Sequence, residues 1–262
     1  MDRTTDGASP GRRTLLKAIG ATTAIPLVGG AGAAAQQGGG DGRGGDGRGD
    51  GDRGRDGDRN RCRQQGCIHP FSGFTVLPGE YGGIERPVSA DYTVETHVEL
   101  ADAEAPCGGF MFDPAGLAVR PGETVLFEGV DNLANGRIAG DHTVTAYAEA
   151  FDRQRRIPEA ATPFSSPMIG PEVSWLYRFE EPGVYDIYCG PHEELGMVMR
   201  VVVGDETATD FGETAMPSEE NPDPTPIGPF GAANTVFANL DPEAIVENGA
   251  IPWSDDLCSS PS

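Results

Sequence analysis

Short runs of apolar residues, separated by glycine and proline, fill the chain from about Tyr92 to Gly204. The dipeptides Pro121-Gly122 and Pro182-Gly183 are typical of turns that lead into a strand. No amphipathic pattern of helical length interrupts the runs. Short strands at this spacing predict an all-β fold, an antiparallel β-sandwich of two sheets. The predicted strands are Thr93–Leu100, Leu117–Val119, Thr124–Gly129, His142–Tyr147, Val173–Phe179, Val184–Tyr188 and Val198–Val203.

Alternation within three of these runs indicates which residues point inward. Successive side chains of a strand lie on opposite faces of its sheet. In each run one set of alternate residues is more apolar than the other, and we expect that set to face the core. The inward sets are Tyr185, Ile187 and Cys189; Met197, Met199, Val201 and Val203; and His142, Val144 and Ala146.

The first 35 residues have the pattern of an export signal. Arg12-Arg13 precedes a short apolar stretch that ends in Ala33-Ala34-Ala35. A basic region, a short apolar region and an A-x-A site form a cleavable signal, and the arginine pair followed by Leu-Leu-Lys resembles a twin-arginine signal. We therefore predict that residues 1–35 are removed on export. No later apolar stretch is long enough to span a bilayer, so no transmembrane segment is expected in the mature chain.

Three regions follow the signal. Residues 36–63 consist mainly of glycine, aspartate and arginine and contain no aliphatic residue, which predicts a disordered linker. Residues 64–204 hold the sandwich with an N-terminal extension. Residues 205–262 form an acidic, proline-rich tail that we expect to be largely irregular.

One short helix is expected within this tail. Asp241 is placed as its N-cap, Pro242 as its first residue and Gly249 as the residue past its end. The sequence alone leaves open whether the tail is ordered. The residues that could hold it against the sandwich are Phe237, Ile245, Ile251 and Trp253.

The charge of the chain is strongly negative. The formal net charge is −22, and from Gln64 onward eight arginines stand against 33 acidic residues, a net charge of −25. Nucleic acid is excluded as a partner because phosphate contacts need clustered basic residues. The only lysine is Lys17. An acid excess of this size favours a halophilic protein, whose self-repulsion is screened by concentrated salt.

Candidate metal ligands cluster between the last two predicted strands. Cys189, His192 and Met197 follow the spacing C-x2-H-x4-M, and His142 lies 47 residues before the cysteine. Two imidazoles, one thiolate and a distant thioether form the ligand set of a blue-copper electron-transfer site. We therefore predict one copper ion, held by these four residues in its Cu(I) and Cu(II) states. No other candidate metal ligand stands near His97 in the sequence, and His97 is interpreted as non-functional.

The five cysteines agree with this prediction. Disulfides persist outside the cytoplasm, and an odd cysteine in an exported protein needs another role. Cys189 as a metal ligand supplies that role. The remaining four, Cys62, Cys67, Cys107 and Cys258, allow three pairings, of which we favour Cys62–Cys67 with Cys107–Cys258. A metal site built from Cys62, Cys67 and His69 is a rival interpretation that lacks a fourth ligand.

Five segments of the sequence match the pattern of a known family: Phe112-Asp113-Pro114, Val119–Val125, His142-Thr143-Val144, Glu181–Tyr185 and Cys189–Met197. Through them the stretch from about Phe110 to Gly204 resembles the plastocyanin-like cupredoxins, especially the halocyanins of halophilic archaea. The resemblance implies a Greek-key sandwich, one mononuclear copper with the same four ligands, and a role as an electron shuttle. Two features depart from the family pattern: the acidic pair Glu193-Glu194 and the long loop Ala148–Pro171.

The function predicted from these features is that of a type 1, or blue, copper protein and not of an enzyme. It would move single electrons between redox proteins of an electron-transport chain, as a monomer with transient partners, on the extracellular or cell-surface side of the cytoplasmic membrane. Peripheral membrane association stays open. A copper enzyme would need further histidines, commonly in H-x-H pairs, and this chain has four histidines and no such pair. A copper delivery or storage protein would expose its ligands, whereas these face inward.

The acidic pair suggests how a partner docks. His192 is the one ligand placed in a loop, so electrons are expected to leave through it. Pro191, Leu195 and Gly196 would form a small apolar contact area around it. We expect Glu193 and Glu194 to favour a partner with basic residues.

The acidic composition predicts that stability rises with salt into the molar range. At 1 M salt the Debye length is about 3 Å, so repulsion between surface carboxylates is largely screened. Thermal unfolding measured at 0.1 M and 3 M salt would show a higher midpoint at the higher concentration. An unchanged midpoint would contradict the halophilic interpretation.

Overall fold

The structure is a computed structural model that describes residues 68–99, 107–130, 137–138, 140–212 and 226–260. The predicted export signal, the predicted linker and the cysteines Cys62 and Cys67 lie outside the described residues. Among the helices of the described part, none has the length and apolar character needed to cross a membrane.

The described chain is mostly β-structure. Four short 3-10 helices accompany the strands, at Gly79–Tyr81, Glu149–Phe151, Glu193–Leu195 and Asp255–Cys258. The strands are β1 (Phe74–Val76), β2 (Tyr92–Glu99), β3 (Phe110–Asp113), β4 (Gly116–Val119), β5 (Thr124–Gly129), β6 (Arg137–Ile138), β7 (Thr145–Ala146), β8 (Ser174–Arg178), β9 (Gly183–Tyr188), β10 (Val198–Val203) and β11 (Ala250–Ile251).

These strands form two sheets, which confirms the predicted sandwich. The first sheet has the order β1-β8-β5-β2-β3, with β6 paired to β2, and the second has the order β11-β4-β10-β9-β7. The chain crosses repeatedly from one sheet to the other. Two pairings, β2 with β5 and β4 with β10, are parallel rather than antiparallel. Such pairs arise because a strand that returns after visiting the other sheet can approach its neighbour from either direction.

One predicted strand is much shorter in the structure, and four observed strands were not predicted. The run His142–Tyr147 contains only the short strand β7, and His142 pairs instead through an isolated bridge with Ile169. The strands β1, β3, β6 and β11, each two to four residues long, were missing from the prediction. The predicted end at Leu100 lies outside the described residues.

The main core lies between the two sheets, and the predicted inward faces are confirmed. The core cluster contains Cys189 and Met197 from the two ends of the ligand loop, and Val144 and Ala146 from the β7 region. His142 is fully buried as well. Large side chains of the first sheet, among them Phe112, Phe127 and Trp175, fill the same cluster.

The C-terminal tail is more regular than predicted. It forms two helices, α1 (Ala232–Asn239) and α2 (Pro242–Asn248). The second is the predicted helix, with the Asp241 side chain accepting from the Glu243 N–H at its start and Gly249 at its end. The first lacks a side-chain N-cap and a proline at its start, so the sequence carries no marker for it.

This tail packs on the outer face of the second sheet and creates a second core. Val184, Tyr188, Val198 and Val202 form the sheet side of that core. The favoured disulfide Cys107–Cys258 is present and ties the end of the tail to the segment before β3. Every residue of β9 and β10 is buried in consequence. The tail side consists of Ala233, Val236, Phe237, Leu240, Ile245 and Leu257.

A cross-strand ion pair lies inside the second core. Arg200 on β10 stands directly opposite Asp186 on β9, and its Nε and Nη2 donate to the Asp186 carboxylate at 2.7 and 3.0 Å. Arg156 adds a further bond from Nε at 2.8 Å. Arg200 Nη1 donates to the carbonyls of Phe237 and Leu240 at the end of α1. Cations stabilise a helix C-terminus in this position, so the pair also fixes α1.

We expect Asp186→Asn to lower the free energy of unfolding by about 3–5 kcal/mol, because it leaves two largely buried guanidinium groups without their counter-charge. Urea unfolding would measure the loss. Glu149→Gln is the control: its carboxylate pairs with Arg155 at 3.1 Å but is 57% exposed, and such a pair contributes at most about 1 kcal/mol. Equal losses in the two variants would show that the buried pair contributes no more than the exposed one.

Candidate metal centre

Cys189 follows directly after β9, at one end of the sandwich. Its side chain is fully buried, and its Sγ accepts the backbone N–H of Thr143 at 3.3 Å. Burial raises the pKa of the thiol to about 11, although this hydrogen bond acts in the opposite direction. At neutral pH the metal-free cysteine is therefore a thiol, and its proton must leave before the sulfur can serve as a metal ligand.

His142 approaches the sulfur from the neighbouring segment. Two backbone hydrogen bonds with Ile169 hold it, at 3.0 and 2.7 Å. Its Nδ1 lies 3.8 Å from the Cys189 Sγ. Burial lowers the pKa of His142 to about 4, and the nearby rings of His192 and His97 act in the same direction. The neutral imidazole, which is the form that binds metal, is therefore present well below neutral pH.

His192 occupies the loop between β9 and β10 and is the half-buried member of the group. Its Nδ1 lies 3.4 Å from the Cys189 Sγ. Phe110 on β3 stacks on the imidazole, with ring centroids 3.8 Å apart and an interplanar angle of 21°. Burial lowers the pKa of His192, while the exposed Asp141 raises it. Phe110 was missing from the predicted site, because its ring meets His192 only through the pairing of distant strands.

Met197 closes the ligand loop at the start of β10. The Cys189 N–H donates to the Met197 carbonyl at 3.0 Å, and the Met197 N–H donates to the His192 carbonyl at 3.2 Å. The Met197 side chain is fully buried in the cluster that contains Cys189. Cys189 and Met197, the two ends of the ligand loop, therefore both lie in the main core.

A hydrogen bond joins the two segments that carry the buried ligands. The Gly190 N–H donates to the Thr143 hydroxyl at 2.7 Å. Thr143 therefore holds the residue after Cys189 through its side chain, and the sulfur itself through its backbone. These bonds fix the approach of His142 to the cysteine without any metal.

The remaining candidates do not join the group. His97 is buried on β2, with its Nδ1 4.0 Å from a Glu95 carboxylate oxygen. His69 is exposed and accepts backbone N–H groups of the turn that follows it. Met168 is half exposed and Met199 lies in the core. Of the rival site, only His69 belongs to the described residues, and Cys62 and Cys67 lie outside them.

The prediction for Glu193 was wrong. Its side chain is only 1% exposed, and it accepts hydrogen bonds from the Tyr147 hydroxyl at 2.7 Å and from Arg153 at 2.8 Å. Burial raises the pKa of this carboxyl, although Tyr147 and Arg153 oppose the shift. Of the acidic pair, only Glu194 is exposed to a partner.

The donor set fits copper. The ligand atoms of His142, Cys189 and His192 all lie within 4.8 Å of one another, and no other group of three or more His, Cys, Asp or Glu ligands occurs in the described residues. Transition-metal bonds to sulfur and nitrogen are each about 2 Å long, so one ion can reach all three atoms. Two imidazoles with a thiolate, and a thioether in the same cluster, favour copper over the harder cations.

A sandwich of two sheets with a His-Cys-His-Met site between strands at one end defines a cupredoxin. The family model for copper binding proteins of the plastocyanin/azurin family matches residues 100–204. The chain is 31% identical over 120 residues to a pseudoazurin of Methylorubrum extorquens, a match that covers 46% of this chain and 67% of that protein. It is 32% identical over 101 residues to a putative pseudoazurin of Rhizobium leguminosarum bv. viciae, covering 38% of this chain and 55% of that one.

The solved structures that resemble the chain include the native pseudoazurin of Hyphomicrobium denitrificans. The sequence identity is 25% and the TM-score 0.33, with 44% of this chain and 76% of that chain covered. The chain spans between half and two thirds of the length of the pseudoazurins it matches in sequence. On those sequence matches, it belongs to the plastocyanin/azurin family of copper-binding proteins. The matching family model describes copper binding proteins, and the relatives matched in sequence include two pseudoazurins.

The lowered pKa of His142 predicts how the metal-free protein responds to acid. Between pH 6.5 and pH 4 the unfolded chain binds a proton at this histidine while the folded protein does not, so stability falls as the pH is lowered through this window. The contribution is on the order of 3 kcal/mol. Urea unfolding of metal-free protein at pH 7 and pH 4.5 should show a smaller difference for His142→Gln than for wild type. If the loss of stability between pH 7 and pH 4.5 is the same in both proteins, the pKa of His142 is not lowered in the folded state.

Proposed function

We propose that this chain is a type 1 copper protein that binds one copper ion through His142, Cys189, His192 and Met197. It carries single electrons between redox proteins. The observation that carries the proposal is the convergence of the buried Cys189 Sγ with the Nδ1 atoms of two histidines. Copper, when bound, supplies a one-electron couple between Cu(I) and Cu(II).

The protein's own residues keep the ligand positions constant. Cys189 and His142 are fully buried, and their backbones are fixed by pairing with Met197 and Ile169 respectively. The N–H of Thr143 donates to the sulfur and favours its thiolate over the thiol. Rigid, dry surroundings of this kind support rapid electron transfer, because little has to move when the charge at the centre changes.

The position of His192 supports the proposal that electrons leave the protein at this end of the molecule. Around the half-buried imidazole lie Pro191, which is exposed, and Leu195, which is 38% exposed. The exposed carboxylates there are Asp141 and Glu194. A small apolar area with two acids suits weak docking of a partner that presents basic residues.

Burial of the ligands also supports electron transfer over delivery or storage of copper. A delivery protein has to surrender its metal, which exposed sulfur and imidazole ligands would permit. Here the cysteine and one histidine are fully buried. A copper enzyme would need a second set of ligands, and the described residues contain one group of this kind.

The cellular setting belongs to the same proposal. We infer export by the twin-arginine-type signal within residues 1–35 and work at the extracellular or cell-surface side of the cytoplasmic membrane. The acid excess supports a halophilic setting and a relationship to the halocyanins. Both inferences rest on sequence features alone.

The proposal predicts that the copper-loaded, oxidised protein is intensely blue and that Cys189→Ser bleaches it, because a hydroxyl cannot replace the soft thiolate donor. The measurement is the visible absorption spectrum after addition of Cu(II). The control is His69→Gln, which removes a histidine outside the proposed site and should stay blue. A blue Cys189→Ser protein, or a colourless His69→Gln protein, would overturn the ligand assignment, the latter in favour of the rival site near Cys67.

A further inference from the structure

The loop that carries His192 packs against the C-terminal segment 226–260, which lies beyond the residues that match the family model. Gly231, just before α1, approaches so closely that a Cβ atom there would lie 2.5 Å from the Glu194 carbonyl oxygen. Gly196 at the other end of the turn has a φ of +91°, and a Cβ there would lie 2.7 Å from the Cys107 Sγ. The loop is therefore in direct contact with both the tail and its disulfide.

A hydrogen bond adds to this contact from the disulfide side. The Gly108 N–H, one residue after Cys107, donates to the Leu195 carbonyl at 3.1 Å. Cys107 is bonded in turn to Cys258 near the end of the tail. The disulfide is therefore one residue away from a hydrogen bond to the loop that carries His192.

Glu193 is the only side chain of the turn Glu193–Leu195 that is buried. Its carboxylate accepts from the Tyr147 hydroxyl and from Arg153 Nη2. The backbone of Phe230, in the tail, also lies near the carboxylate and acts to lower its pKa. Three separate parts of the chain thus meet at the residue that follows His192.

The partners of Glu193 are themselves fixed by packing. The Tyr147 ring is fully buried and lies 4.6 Å from the ring of Tyr188 and 5.7 Å from that of Phe237 on α1. The Arg153 guanidinium lies over the rings of Tyr188 and Phe230, at 5.2 and 5.3 Å. Cation–π contacts of this length hold a guanidinium in place. The Glu193 carboxylate therefore lies in a rigid frame formed by Tyr147, Arg153 and the rings packed against them. Two of those rings, Phe230 and Phe237, belong to the tail.

Backbone hydrogen bonds within the turn link the position of Glu193 to that of His192. The His192 carbonyl accepts the N–H groups of Leu195 and Met197, at 3.1 and 3.2 Å. The Glu193 carbonyl accepts the N–H of Gly196 at 2.9 Å. A change in the position of residue 193 would therefore move the backbone of two of the proposed ligands together.

We propose that Glu193 is a positioning residue of the metal centre, through which the C-terminal segment holds the His192 turn in its ligand geometry. The inference rests on the proposed function, because it takes His192 as a ligand. Glu193 acts by position rather than by its charge near the metal, since Arg153 compensates that charge. The neighbouring Glu194 has the same charge and lies on the same turn, but it is exposed.

The test compares Glu193→Gln with Glu194→Gln in the full-length, copper-loaded protein. Each change removes one negative charge, the first at the residue next to His192 and the second one residue further on. Only the first weakens the charge-assisted bonds from Tyr147 and Arg153, and it leaves the largely buried Arg153 without its counter-charge. Copper loss to a chelator should be about tenfold faster in Glu193→Gln than in wild type. This is the smaller end of the range found when a group that orients a metal ligand, without binding the metal itself, is changed. Its absorption and electron paramagnetic resonance spectra should change, whereas those of Glu194→Gln should match wild type.

Tyr147→Phe provides a second, milder variant that removes only one hydroxyl. It should change the same spectra in the same direction, with a smaller increase in the rate of copper loss. In the metal-free protein, hydrogen exchange should be faster within residues 190–197 for Glu193→Gln and Tyr147→Phe, and unchanged there for Glu194→Gln.

Two results would overturn the inference. If Glu193→Gln and Glu194→Gln share the same spectra and the same rate of copper loss, the effect of residue 193 is that of charge alone. If Tyr147→Phe and Glu193→Gln leave exchange within residues 190–197 unchanged, the frame does not hold the turn. A wild-type protein that stays colourless with copper would instead overturn the proposed function, and the inference with it.

Discussion

Both faces of the β9–β10 hairpin have to be buried, and the architecture of the whole protein follows from that requirement. One face carries Cys189 and Met197 at its ends and packs into the core between the sheets. The opposite face carries Asp186 and Arg200, which form an ion pair with almost no access to water. A buried ion pair is tolerated only when its remaining hydrogen-bonding atoms have partners. The carbonyls at the end of α1 provide them, so the tail completes the same hairpin that carries the ligand loop.

Three arginines of the described residues, Arg153, Arg156 and Arg200, pair with buried carboxylates. The loop Ala148–Pro171, a departure from the family pattern, supplies Arg153 to Glu193 and Arg156 to Asp186. Each of these carboxylates is almost completely buried and would be costly to bury without a counter-charge. The loop thus compensates the interior acids, while the excess negative charge stays on the surface, where salt can screen it. The same two arginines also lie over rings of the tail, Arg153 over Phe230 and Arg156 over Phe237, so the loop packs against the tail as well.

The inward faces and the donor set were predictable because they depend on local regularity. Alternation along a strand determines which side of a sheet each residue occupies, so the placement of Cys189, Met197 and His142 followed from short windows of sequence. The α2 helix was found for the same reason, since its Asp-Pro start and Gly end are adjacent in the chain. The α1 helix has no such signals. Its position depends on burial of Val236 and Phe237 against the second sheet, which no local window contains.

The sequence by itself determined the class of fold and the four candidate ligands, because each depends on residue type, spacing or period. It left three pairings of the other four cysteines open, and the structure shows Cys107 bonded to Cys258. Only the tertiary structure decided the environment of those residues. Phe110 reached His192 through the pairing of strands distant in the chain, and Glu193 changed from an expected docking residue to a buried one because Tyr147, Arg153 and the tail converge on it. The physical reason is that solvent exposure and the compensation of charge are properties of the assembled layers. Two adjacent glutamates with the same side chain therefore had no sequence feature that separated the buried one from the exposed one.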